Sequence, residues 1–331
     1  MAFVRALSVL VTLSALGVVA CGSDSGGGGG GGGGSGASGG SGGTGGTTTT
    51  GGAAGVSGGG SGGASGAGCN AGPGFPSSDP PHKVDELTAK ILDTTGAPAD
   101  GVLAQVCGLD LCINGSTNAQ GEVCTPNGGT GICAPGILPA QEFKRPAFKY
   151  GDGIGYVKFA QLLETTTTKY AIGDVMTERL PAVGQGVALA PGGTATSNGI
   201  TLTLGAGAQI TIDELTFDTP ELQKFRAAEV PIAKIPPAVD KALGFEMVVG
   251  TTPLDTELCP HAKLSVPNTP GWPAGTEVEF WIHGLDPGEE WAPYAGWAKV
   301  SGGAVSADGK SVVTSDGEGI PVLSTFGIKK K

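Results

Sequence analysis

The sequence is poor in the residues from which catalytic centres and membrane spans are usually built. Three histidines stand among 331 residues, His82, His261 and His283, and no two fall in a His-Glu-x-x-His or His-x-Glu arrangement. The zinc hydrolase motifs, which need ligands at fixed helical spacing, are therefore absent. No Cys-x-x-Cys pair occurs either, which removes the usual seed of a structural zinc site. Basic residues are outnumbered 19 to 30, for a formal charge of −11. A nucleic-acid partner, which needs a concentrated basic face, is not expected. The one basic cluster, Lys329-Lys330-Lys331, reads as a solvated tail. Long apolar runs are missing: no stretch reaches the roughly eighteen residues of a membrane helix. Helical periodicity is scarce too, the best candidate being the short Pro220–Ala228 stretch before Pro231, Pro236 and Pro237, so βαβ architecture is not expected. Gly309-Lys310-Ser311 lacks the first glycine of a phosphate-binding loop, and Gly55-Val56-Ser57-Gly58-Gly59 lies in low-complexity sequence with no strand or helix around it. No catalytic residue, cofactor or metal is expected from these patterns.

Glycine, by contrast, is abundant, and it is concentrated behind one short motif. Arg5 precedes an apolar run, Ala6 to Val19, which ends in Val18-Val19-Ala20-Cys21. Residues 22–68 then hold 27 glycines and no aromatic residue. The motif resembles the lipobox of bacterial lipoproteins. That resemblance implies a signal peptide over 1–20, cleavage before Cys21 and acylation of the Cys21 thiol, so that the membrane is a partner through the N-terminal lipid. Gly22 in place of an aspartate implies the outer membrane or cell surface. A segment of such composition buries too little apolar surface to offset its ordering entropy, so 21–68 is expected to be a disordered linker. As a flexible coil it would span about 35–40 Å.

Six cysteines remain: Cys69, Cys107, Cys112, Cys124, Cys133 and Cys259. An even number in an exported chain is expected to form disulfides, and the sequence leaves their pairing open.

The fold-forming part divides at about residue 180. In the first region, 69–180, Leu87, Ala89 and Ile91 alternate with Thr88 and Lys90, as a half-buried strand requires. Asp93-Thr94-Thr95-Gly96-Ala97-Pro98 is a turn, Val102 to Cys107 alternates again, and Gly121 sits at a hairpin turn. Strands punctuated by Asp93, Gly96, Pro98, Gly101, Val102, Thr117 and Gly121 resemble the carboxypeptidase-regulatory-like, transthyretin-like β-sandwich. In that family the module is an accessory and not the catalyst.

In the second region, 181–331, Val278, Phe280 and Ile282 alternate with Glu279, Trp281 and His283, and Val305 to Val313 is a hairpin turning at Asp308-Gly309. The sequence from Pro267-Asn268 through Gly271, Gly275 and Val278 to Ser315-Asp316-Gly317 is similar to a β-sandwich of large bacterial surface proteins, including Rhs-type shells, where such sandwiches are scaffolding. The expected fold is all-β: two β-sandwich-like domains after a disordered Gly/Ser-rich tether.

All four tryptophans, Trp272, Trp281, Trp291 and Trp297, lie in this second region with Tyr294 among them. They either fill the sandwich core or form a platform for sugar rings or a protein partner. The expected role is a non-enzymatic outer-membrane or cell-surface lipoprotein with a binding or structural function. The alternatives are a carbohydrate- or matrix-binding module using the tryptophan cluster, its partner a polysaccharide or a surface protein, and an exported hydrolase whose site the sequence does not display.

Overall fold

A computed structural model describes residues 72–126 and 133–331. Cys21, the glycine tract and Cys69 lie outside the described residues, and of Cys133 only the backbone is described.

The described chain is all-β, as its alternating apolar pattern requires. The first ten strands are β1 (Pro81–Val84), β2 (Glu86–Asp93), β3 (Leu103–Cys107), β4 (Cys112–Thr117), β5 (Val123–Pro126), β6 (Cys133–Pro135), β7 (Gln141–Lys144), β8 (Ala147–Tyr150), β9 (Phe159–Leu162) and β10 (Lys169–Thr177). Eleven more follow: β11 (Thr194–Ser197), β12 (Ile200–Thr203), β13 (Gln209–Thr211), β14 (Arg226–Val230), β15 (Met247–Thr252), β16 (Glu257–Pro267), β17 (Glu277–His283), β18 (Trp297–Val305), β19 (Ser311–Thr314), β20 (Ile320–Val322) and β21 (Thr325–Lys330). Helical structure among the described residues is confined to three single 3-10 turns, Val183–Gln185, Ile232–Lys234 and Lys241–Leu243.

Strands β3 to β6, β8 and β9 form a six-stranded antiparallel sheet in the order β6-β5-β4-β3-β8-β9. Against it lie the antiparallel pair β1-β7 and the parallel pair β2-β10. The remaining strands form one eleven-stranded sheet running β11-β12-β16-β19-β18-β17-β21-β15-β14, with β13 and β20 attached to β16. Its two ends meet. The Ala227 N–H of β14 donates to Ser197 Oγ at 3.1 Å, and Asn198 Nδ2 donates to the Ala227 carbonyl at 3.1 Å. Side chains thus replace strand pairing across the seam, and the sheet becomes a nearly closed barrel.

The alternation read from the sequence sets the packing. Val278, Phe280 and Ile282 point into the barrel, where they join Leu264, Val312, Phe326 and Ile328 in a filled core. Strands β14 and β15 are buried on both faces: Ala227 and Val249 face the barrel core, while Ala228, Val230 and Val248 join Leu87, Val106 and Phe148 of the first region in a second core. A strand buried on both sides has no polar face, which explains the unbroken Met247-Val248-Val249 run. Gly250 sits where this wall meets the first region, because a Cβ there would lie 2.4 Å from the Val157 side chain.

Two expectations are corrected. The helix read over Pro220–Ala228 is a turn at Thr219–Gln223 followed by β14. Leu222 N–H and Gln223 N–H both reach the Thr219 carbonyl, one helical turn that extension into a barrel strand overrides. Lys329-Lys330-Lys331 is no frayed tail. Lys329 and Lys330 close β21 in the middle of the sheet, and the three ammonium groups lie 4.0, 3.4 and 3.0 Å from Glu279, Glu246 and Glu277 respectively.

Cys107 and Cys112 face each other across the β3–β4 hairpin and form a disulfide. Cys124 and Cys259 each take part in a disulfide as well. The hairpin disulfide closes a short loop, so Cys107→Ser is expected to cost about 2 kcal/mol, read as a lower urea midpoint with an unchanged denaturant slope.

Candidate functional site

The aromatic residues singled out by the sequence do not share one surface. Trp281 and Trp297 meet on the outer side of β17 and β18, with Phe245 between them at ring-centroid distances of 6.1 and 4.9 Å. Their indole N–H groups donate to Glu279 and to the Ala238 carbonyl, each at 3.1 Å, and the Lys329 ammonium lies 4.6 Å from the Trp281 ring centre. Trp272 is buried against the barrel core and donates to Glu246 at 3.2 Å. Half-buried Trp291 packs against that core and stands edge-on to His261 at 5.4 Å. Tyr294 is fully buried in a third apolar cluster with Leu285, Phe217 and Leu254.

What gathers instead is a set of polar groups at the junction between the six-stranded sheet and the barrel. His283 is 1% exposed and stacks on Trp297, with ring centroids 4.4 Å apart and planes 15° from parallel. The Ala160 N–H donates to its Nε2 at 3.0 Å, and its Nδ1 is 2.9 Å from the Gly296 carbonyl. A carbonyl can only accept and an amide N–H can only donate, so the ring is neutral with its proton on Nδ1. Burial pushes its pKa down to about 4.

Nearby, Lys149 projects from β8 into the third cluster and donates to the Leu285 carbonyl at 2.7 Å. Burial, helped by the Lys158 charge, pushes its ammonium down to about 8. Lys149 pairs with Ala160 in the sheet, which places Lys158 on the same face, two residues along. A cleft of about 90 Å³ reaches this junction, walled by Asp255, Glu257, Asp286 and Glu290 with His283 among its lining residues.

Glu289 and Glu290 also hold the start of the described chain. Gly72 N–H donates to Glu290 Oε1 at 2.8 Å, Ser77 N–H donates to Glu289 Oε2 at 2.8 Å, and Phe75 N–H donates to the Glu289 carbonyl at 2.8 Å. Arg145 clasps the same segment through Ser77 Oγ at 3.3 Å and the Tyr294 carbonyl at 3.2 Å.

These groups are cross-ties. Most join a side chain to backbone far away in sequence, and no three carboxylate, histidine or cysteine side chains among the described residues are grouped to hold a metal ion. No motif in the sequence marks His283, Lys149, Arg145 or Glu289, because most of their partners are backbone groups and backbone leaves no motif. One signal was present: His283 falls on the Glu279/Trp281 face of β17 and not on the barrel-core face.

No protein-family model matches the chain, and no curated protein matches it. Among solved structures, the Bacillus anthracis TIE protein is similar at 12% identity over 75% of this chain, with a TM-score of 0.21. The chain spans 45% of that structure's length, and a likeness this low carries no argument about fold or function.

Proposed function

We propose that the chain is a lipid-anchored, non-enzymatic protein of a bacterial outer membrane or cell surface, whose all-β body serves a binding or structural role at the end of a glycine-rich tether. The observation that carries this reading is the order of segments in one sequence. A short apolar run ends in Val18-Val19-Ala20-Cys21, 47 residues dominated by glycine follow, and a disulfide-bonded β body comes last.

The body supports the reading in two ways. Its disulfides fit an oxidising compartment outside the cytoplasm. Two buried groups of the kind a hydrolase would place against substrate, His283 and Lys149, are bonded to the backbone of neighbouring elements. The tryptophans favour scaffold over sugar platform, since Trp281 and Trp297 are engaged by Phe245, Lys329 and His283.

The test is fractionation of cells expressing Cys21→Ser. The variant should leave the membrane fraction and run as the larger, uncleaved or unacylated chain; retention in the membrane equal to wild type would overturn the anchor. A scaffold should also show no retention on immobilised polysaccharides, and tight retention would favour the carbohydrate-binding alternative.

A further inference from the structure

We infer that His283 is an acid-released pin, holding the six-stranded sheet against the barrel by capping the open edge of β9. This inference stands apart from the membrane anchor. β9 is the last strand of its sheet, and no strand among the described residues pairs with its outer edge. Open edges offer unpaired N–H and C=O groups to any passing strand. Here two such groups meet side chains from the barrel. Ala160 N–H donates to His283 Nε2 of β17 at 3.0 Å, and Thr325 Oγ1 of β21 donates to the Lys158 carbonyl, just before β9, at 2.8 Å. A histidine and a threonine do what a further strand would do.

Of the two caps only His283 titrates. Its Nε2 accepts while the ring is neutral, and Nδ1 is committed as donor to the Gly296 carbonyl. A proton on Nε2 would face the Ala160 N–H, donor against donor, in a seat 1% exposed and walled by Trp297 and Phe159. Burial leaves the new Nε2–H with no acceptor, so the charged ring must leave that seat. The nearest charge acts in the same sense. Lys149 from β8 is the neighbouring cation and repels an imidazolium, while the carboxylates Asp255, Glu257, Asp286 and Glu290 line a cleft with His283 among its lining residues. Acid therefore frees the Ala160 N–H and loosens the β9 edge while the barrel core, which contains no titratable group in its apolar cluster, stays closed.

The experiment is an NMR titration of the isotope-labelled full chain from pH 7 to pH 3, following the His283 ring and amide exchange at Ala160 and Val312. The ring should stay neutral down to about pH 4. In that step, Ala160 protection, corrected for intrinsic exchange, should fall toward about tenfold per pH unit, with Val312 still protected. His283→Gln can accept from Ala160 and donate to Gly296 without titrating, and should abolish the step. Should that variant fail to fold, Thr325→Val, which removes the other cap, should make the wild-type step begin at higher pH. Loss of protection at Ala160 and Val312 together would overturn the pin, since that is unfolding of the whole body. So would a ring that becomes charged while Ala160 remains protected.

Discussion

Replacing Arg226 with alanine is expected to destabilise the protein by about 3 kcal/mol. Arg226 opens β14 and is completely buried. Its Nη1 donates to the Ile154 carbonyl and, at 3.0 Å, to the Pro181 carbonyl. The other side of the same loop is held by Asp152, whose Oδ1 accepts from the Ile154, Gly155 and Tyr156 amides at 2.8, 2.7 and 3.0 Å. Asp152 therefore shapes the 152–156 loop from within, and Arg226 fastens that loop to the barrel. Alanine would remove two bonds to buried carbonyls and leave a cavity the length of an arginine. The guanidinium also carries a cost of its own: Nε and Nη2 find no partner among the described residues, and burial lowers its pKa. Arg226→Met fills the same space without buried donors, so it should lose about 1 kcal/mol or less. Urea unfolding of both variants checks this. An alanine variant as stable as wild type would mean that the loop is held by Asp152 alone.

The second large effect is on pH dependence. His283 binds its proton at about 4 in the folded chain and at about 6.5 once unfolded. Above the unfolded value both states are neutral and the full stability is present. As pH falls through the window between the two values, the unfolded chain takes up a proton that the folded chain refuses. Stability therefore declines, by about 3 kcal/mol in total when the folded value is reached, and His283 contributes no further loss below it. Carboxylates held low in the fold, such as Asp93 with its Thr95 and Arg179 partners, add losses of their own at lower pH. The histidine contribution is isolated by subtracting the pH profile of His283→Gln from that of wild type. A difference profile that is flat from pH 7 to pH 4 would contradict it.

Local chemistry made much of the fold readable in the sequence. Leu87 and Ile91 alternate in β2, Val278, Phe280 and Ile282 in β17, and Gly121 and Gly309 adopt the positive φ of 77° and 73° that their turns demand. Period-two patterns and turn glycines act over a few residues, so one sequence suffices to see them. The barrel closure was not readable. It rests on Ser197 and Asn198 meeting Ala227, about thirty residues away, and nothing in a Ser-Asn-Gly turn marks its partner. The sharing of Ala228, Val230 and Val248 with the first region's core was hidden for the same reason. The candidate site was less legible still: the aromatic cluster visible in the sequence disperses, while the groups that converge do so through backbone atoms. The Ala160–His283 bond joins residues 123 positions apart.

The proposed membrane anchor is tested most directly by the intact mass of the mature protein extracted from membranes. A chain that begins at Cys21 and is heavier than its sequence by acyl groups, with all added mass on the N-terminal peptide, is the expected result. An unmodified Cys21, or a mature N-terminus elsewhere, would contradict it.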